Sequence, residues 1–244
     1  MDTILSVRDL GVRFGKRSVL HNLSFDVDAG DNLAIIGPNG AGKTVLLKAL
    51  LSLLPYEGEI RWSPSARLGY VPQKVAADRQ MPLRVRDLLA AKAHVLKLQP
   101  RNIEAVADTV GLTPDVLNTS IGTISGGQFQ KVLIAFALLG GPNVLLFDEP
   151  TASLDELAEE RIYELVYRLQ REQGLTVLLV SHDLSIVFRA ANKVLCLSKD
   201  VICFGPPREV LTPAALEAMY SAPPKYYQHR RDVSHTPPDE EEHE

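Results

Sequence analysis

Gly37-Pro38-Asn39-Gly40-Ala41-Gly42-Lys43-Thr44 sets glycine, lysine and threonine at the spacing G-x-x-x-x-G-K-[ST]. The chemistry implied is the holding of nucleotide phosphates. Glycines at 37, 40 and 42 let the backbone turn tightly and bring its N–H groups against phosphate oxygens. Lys43 supplies a mobile positive charge for the β- and γ-phosphates, and the Thr44 hydroxyl is placed to ligate Mg²⁺. A second stretch, Val144-Leu145-Leu146-Phe147-Asp148-Glu149, is an apolar run that ends in two carboxylates. Asp148 suits Mg²⁺, held through its water shell, and Glu149 suits a general base that polarises the water attacking a γ-phosphate. Taken alone, the phosphate loop leaves GTPases, kinases, helicases and motor proteins open.

These groups need elements to place them. The short apolar run Asn32-Leu33-Ala34-Ile35-Ile36 predicts a strand leading into the loop, and residues 45–54, apolar nearly all round, predict a buried helix leaving it. Residues 4–30 alternate as antiparallel strands and turns, and 57–62 and 67–71 add two short strands. From Lys74 to about Leu139 the texture is helical, with Val85, Leu88, Leu89 and Leu96 on one face of 84–98 and breaks at Pro100 and Pro114. The α/β pattern resumes with a strand at 144–147 and a helix at 156–171 striped by Ala158, Ile162, Leu165, Val166 and Leu169. A strand at 176–181, a hairpin of 194–197 with 201–204, and a last helix at 213–220 complete it. The expected organisation is a core of about 1–73 and 140–221, with a helical subdomain of about 74–139 inserted. Residues 222–244 are rich in proline, histidine and acid, with almost no aliphatic side chains, and are expected to remain disordered. His229, His235 and His243 give that tail a composition open to two readings, a solvated tail or a weak metal binder.

The 244 residues suffice for a well-buried core. A net charge of −4 and the lack of a basic stripe with interleaved aromatics speak against nucleic acid. The N-terminus has neither the basic nor the apolar region of a signal peptide, and no run of about 18 apolar residues could cross a bilayer. The expected place is therefore inside the cell. Cys196 and Cys203 lack C-x-x-C spacing and read as small buried hydrophobes of a reducing compartment.

Between the two phosphate motifs lies Ile124-Ser125-Gly126-Gly127-Gln128, followed by a helix-compatible run. Alone, Ser-Gly-Gly is an ordinary N-cap and turn, but at this place it resembles the signature motif of ABC-type ATPases. A serine hydroxyl and two glycine N–H groups at a helix N-terminus make a second anion site. One chain could hardly use both sites on a single γ-phosphate, so the signature suits a nucleotide on a neighbouring chain. The resemblance covers about residues 4–220 and implies an α/β fold: a RecA-like phosphate-loop core, an N-terminal antiparallel β subdomain and an inserted helical subdomain.

The resemblance also implies roles for single residues. Phe14 stands where the family stacks an aromatic on adenine, and Gln73 where its glutamine contacts Mg²⁺ and joins core to helical subdomain. Ser153-Leu154-Asp155 matches the loop that touches the partner chain, and His182 the switch histidine that hydrogen-bonds the γ-phosphate. Phe14 replaces the commoner tyrosine; Val45, Ile124 and Lys131 depart from Thr, Leu and Arg, and none removes a catalytic group. The implied protein is an active ATPase using ATP and Mg²⁺, paired head to tail across two nucleotides. It would dock on the inner membrane face beneath permease subunits fed by an extracytoplasmic binding protein. Val180-Ser181-His182-Asp183-Leu184-Ser185 and the stretch after it are similar to the zinc, manganese and iron uptake branch. Iron chelates or cobalamin remain alternative cargoes, and a soluble, non-transport ABC ATPase a further alternative.

Overall fold

The structure is a computed structural model that describes residues 2–73, 82–151, 154–198 and 202–220. The N-terminal alternation builds β1 (Thr3–Phe14) and β2 (Arg17–Asp28), an antiparallel pair. Leu5, Val7, Leu10 and Val12 of β1 and Leu23, Phe25 and Val27 of β2 all turn inward. β3 (Asn32–Ile36) follows, then α1 (Lys43–Leu50). α1 stops short of the expected 54. Ser52 takes a left-handed conformation (φ 56°), and the N–H groups of Ser52 and Leu53 return to the carbonyls of Ala49 and Lys48. That double return is a helix stop of the Schellman type.

The next two strands, adjacent in sequence, part company. β4 (Glu57–Trp62) pairs with β1, giving a sheet of order β2-β1-β4. β5 (Leu68–Val71) joins the core sheet as its edge. Helices α2 (Val85–Val95), α3 (Arg101–Val110), α4 (Pro114–Asn118) and α5 (Gly126–Leu138) come next. Pro100 and Pro114 begin helices here. Pro100 stands at the N-cap of α3, and Thr113 caps α4 with Pro114 in its first turn, where a missing N–H costs nothing. Leu96 departs from expectation: α2 ends before it, Lys97 turns left-handed (φ 55°), and Leu96 is left 42 % exposed. Leu89 and Val85 remain fully buried with Ile103, Ala107 and Ile134.

The core sheet then fills with β6 (Val144–Asp148), α6 (Glu156–Gln173), β7 (Thr176–Val180), α7 (Leu184–Ala190), β8 (Lys193–Leu197) and β9 (Ile202–Gly205). Short α8 (Pro207–Val210) and α9 (Pro213–Tyr220) close the described chain. The strand order is β5-β6-β7-β3-β8-β9, parallel except for β9. Every residue of β3, β6 and β7 is buried, which is why these strands read as continuous apolar runs: α1 and the β1–β2 pair pack on one face of the sheet, and α5 and α6 on the other. Where β2 enters β3, buried Asp31 accepts from Lys193 Nζ at 2.8 Å and Asn192 Nδ2 at 2.7 Å, tying the entry of β3 to β8.

The cysteines correct the sequence reading. Cys196 of β8 and Cys203 of β9 are opposite one another in the antiparallel register, with Cα atoms 4.8 Å apart, and they form a disulfide. The sequence marks a hairpin here but not its register, which decides whether two side chains meet. The pairing removes the support that two free thiols lent to a reducing compartment. Residues 74–81, at the head of the expected helical subdomain, lie outside the described residues. So do Ser153, Val201 and the 222–244 tail, with its three histidines.

Candidate nucleotide site

A parallel sheet brings the C-terminal ends of its strands to one edge, and in open α/β sheets that edge is where ligands bind. Here β3 delivers the phosphate loop, β6 delivers Asp148 and Glu149, β5 leads to Gln73, and β7, lying between β3 and β6, leads to His182. Four separate stretches of sequence thus meet through one sheet.

The loop conformation requires its glycines at two points. Gly37 has φ 150°, and a Cβ there would collide with the Leu197 carbonyl at the end of β8. Gly42, the N-cap of α1 at φ 99°, would meet Leu20 and Val19 of β2. Crowding thus comes from the protein's own strands as well as from any phosphate. Pro38 accepts from the Ala41 N–H at 3.2 Å, closing the turn over Asn39 and Gly40. The free N–H groups at the start of α1 and its dipole favour an anion there.

Lys43 is only 6 % exposed. Its ammonium donates to the carbonyls of Gly37 (2.9 Å) and Pro38 (3.3 Å), and stands 3.4 Å from Glu149 Oε1. Glu149 Oε2 in turn accepts from Gln73 Nε2 at 2.6 Å. Glu149 itself is left-handed (φ 46°), an uncommon conformation for a side chain of its size, and one that often marks functional positions. Asp148, 1 % exposed, accepts from Thr44 Oγ1 at 2.9 Å through Oδ1 and from Tyr70 Oη at 3.3 Å through Oδ2. Burial pushes the Asp148 carboxyl up from the usual range, and the two hydroxyls partly offset this. Burial first, then Asp148, push the Tyr70 phenol up to about 12, so it remains a donor. Hydroxyl, carboxylate and amide oxygens beside a phosphate loop are the hard donors that Mg²⁺ takes, so Thr44, Asp148 and Gln73 fit that ion.

Phe14 is 49 % exposed at the tip of the β1–β2 hairpin, a few residues from the Val19 and Leu20 that flank Gly42. His182 is exposed just beyond β7. The remaining candidates form a second group. Ser125 caps α5, accepting from the Gln128 N–H (3.2 Å), while Gln128 Oε1 accepts from the Ser125 N–H (2.9 Å). A Cβ on Gly126 would stand 3.1 Å from Leu154 Cδ2, and one on Gly127 3.6 Å from Ala158. The signature turn thus faces the start of α6. Asp155 caps α6, accepting from the Ala158 N–H at 2.8 Å. These residues, with Lys131 and Arg161, line a groove of about 550 Å³. No hydrogen bond or ion pair among the described residues joins this group to Lys43, Asp148 or Glu149. Tyr70 was missed from sequence; a hydroxyl three residues before Gln73 in an otherwise apolar strand was the available signal.

A buried lysine and a part-buried threonine in a phosphate loop, with two carboxylates at the end of a strand one place removed, define a phosphate-loop ATPase site of the RecA-like type. The model of the ABC transporter family matches residues 20–152. The chain is 39 % identical over 242 residues to the zinc import ATP-binding protein ZnuC of Pseudomonas putida, covering 96 % of this chain and 91 % of that one. It is 37 % identical over 219 residues to the protein of the same name from Jannaschia sp., covering 89 % and 88 %. Among solved structures, a chain described as a metal-chelate type ABC transporter in an inward-facing conformation superposes with a TM-score of 0.83 at 30 % identity, over 91 % of this chain and 90 % of that one. The cbiO1 chain of Clostridium perfringens, part of the ABC transporter complex cbiONQ, gives 0.75 at 26 %, over 89 % and 94 %. The chain belongs to the ABC transporter family, and it is an ATPase of that family.

Proposed function

We propose that this chain is the ATP-hydrolysing subunit of an importer for a divalent metal ion, zinc or manganese. The observation that carries the ATPase part is the convergence of Lys43, Thr44, Asp148, Glu149 and Gln73 at one sheet edge. The cargo rests on the relatives named for zinc import at 37–39 % identity over most of their length. A chelated metal is the second reading, favoured by the metal-chelate type neighbour at 30 %.

In this reading the backbone N–H groups of residues 37–44 cradle the phosphates, and Lys43 leaves Glu149 to meet the β- and γ-phosphates. Thr44 and Asp148, with Gln73, would hold Mg²⁺, which would supply positive charge to offset that of the phosphates. Glu149 then takes a proton from the attacking water, His182 donates to the γ-phosphate, and Phe14 stacks on the adenine. Ser125, Gly126, Gly127 and Gln128 serve the γ-phosphate of a second chain, with Asp155 at the contact, so two copies close head to tail over two ATP molecules. Two units make up the chain, a core of about 1–73 and 140–221 and a helical subdomain of about 74–139, with 222–244 as a tail. Among the described residues no helix is long and apolar enough to cross a membrane. The pair sits peripherally on the inner face of the cell membrane, beneath permease subunits served by an extracytoplasmic substrate-binding protein.

The test is co-purification with a permease, then uptake of Zn²⁺ and Mn²⁺ into vesicles carrying both. Glu149→Gln should slow hydrolysis at least ~100-fold and stop uptake. It should also dimerise with MgATP by light scattering, and adding Ser125→Arg should abolish the dimer. ATP-driven uptake of an iron chelate or cobalamin in place of the free cation would overturn the cargo; near-normal turnover would remove Glu149 as the base.

A further inference from the structure

Tyr70 lies on β5 opposite Leu146 of β6, and Asp148 is two residues further along the same face of β6. The tyrosine side chain spans that diagonal, and its Oη stands 3.3 Å from Asp148 Oδ2. Its ring packs against the cluster that holds Leu46, Leu47 and Leu50 of α1, so the hydroxyl is carried by a half-buried side chain anchored in the sheet. Among the described residues, the side chains that donate to Asp148 are Thr44 and Tyr70. They differ in what nucleotide binding asks of them. Thr44 belongs to the phosphate loop and has its own part in holding Mg²⁺, for which its oxygen would use a lone pair while its O–H goes on donating to Asp148 Oδ1. Tyr70 has no such second duty.

We propose that Tyr70 is a positioning residue for the magnesium site: its hydroxyl pins Asp148 Oδ2, so that Oδ1, the oxygen beside Thr44, is the one offered toward the cation. The proposal rests on the magnesium reading of Thr44 and Asp148 given above. Outer partners that orient a metal-holding carboxylate typically matter 10–100-fold in metal affinity or activity when removed. Tyr70→Phe keeps the ring and its packing and deletes only the donor.

The experiment titrates the full chain with a fluorescent ADP analogue, once in EDTA and once in excess Mg²⁺, which avoids hydrolysis. Wild type should bind more tightly with Mg²⁺; if it does not, the magnesium reading fails and this proposal with it. If wild type does, Tyr70→Phe should keep the EDTA affinity, which also reports an intact loop, and lose about tenfold of the tightening due to Mg²⁺. An unchanged ratio between the two conditions overturns the proposal. So does an equal loss in both, which would make the hydroxyl part of the packing beneath α1. A second comparison is independent of any one fold defect: added to Asp148→Asn, Tyr70→Phe should cause no further loss of the Mg²⁺ effect, and an additive loss would show that the hydroxyl acts elsewhere.

Discussion

Glu149 occupies the lysine that, in the proposed function, a phosphate claims. Lys43 Nζ and Glu149 Oε1 are 3.4 Å apart with side chains 6 % and 16 % exposed, so water screens the pair little. At an effective dielectric constant of ~20 the attraction is about 5 kcal/mol. If a phosphate oxygen entering between them doubles the separation, about half of that is lost on binding. Gln in place of Glu149 removes the charge but keeps a hydrogen-bonding amide, so we expect a net gain for nucleotide of ~1–2 kcal/mol, about 5–30-fold in affinity. ADP is the ligand of choice, because slower hydrolysis cannot then imitate tighter binding. Calorimetric titration of wild type and Glu149→Gln with MgADP measures the difference, and Lys43→Ala supplies the control, since in that background the Glu149 change should gain nothing. Equal or weaker ADP binding by Glu149→Gln would refute the reasoning, as would a gain that persists without Lys43.

Gly37→Ala, strained at φ 150° and blocked by the Leu197 carbonyl, should lower stability by ~2–3 kcal/mol in thermal unfolding and lose nucleotide; Gly40→Ala, with nothing within 4 Å, should cost clearly less. Because burial raises the Asp148 carboxyl, its contribution to stability is present below the unfolded value and is lost as pH rises through the folded one. Asp148→Asn should therefore unfold at a higher temperature than wild type at neutral pH, with the gap closing as pH falls into the carboxylate range. Asp155→Ala should lose the cap on α6 and ~1 kcal/mol of stability, whereas Asp155→Asn should keep both, as chemical denaturation can show.

The nucleotide-binding edge was legible because its residue types are dictated by charge and backbone geometry. A phosphate cradle cannot be built without Gly37 and Gly42, and β3 and β6 announce themselves as buried parallel strands. Pairing was not legible. Residues 57–62 and 68–71 look alike in sequence, yet one completes the antiparallel sheet and the other edges the parallel one, a choice made by long-range partners. The short helices α7 and α8 were missed, since seven and four residues carry too few turns for a 3.6-residue period to show. The disulfide was hidden in a register, and Tyr70 in a diagonal between neighbouring strands. The left-handed turn at Glu149 left no trace, because an acidic residue after a strand predicts no such backbone.

That turn also limits how this site can change. The residues at ease with φ 46° are glycine, asparagine and, less so, aspartate, and any of them at position 149 would relax the backbone. Each would also lose the carboxylate or shorten it by a methylene, away from Lys43 and Gln73. A population of variants selected for heat resistance alone is therefore expected to drift toward a better-folded protein that has lost the contacts of Glu149 with Lys43 and Gln73. If Glu149 is the base proposed above, only a selection that demands turnover keeps glutamate at this position.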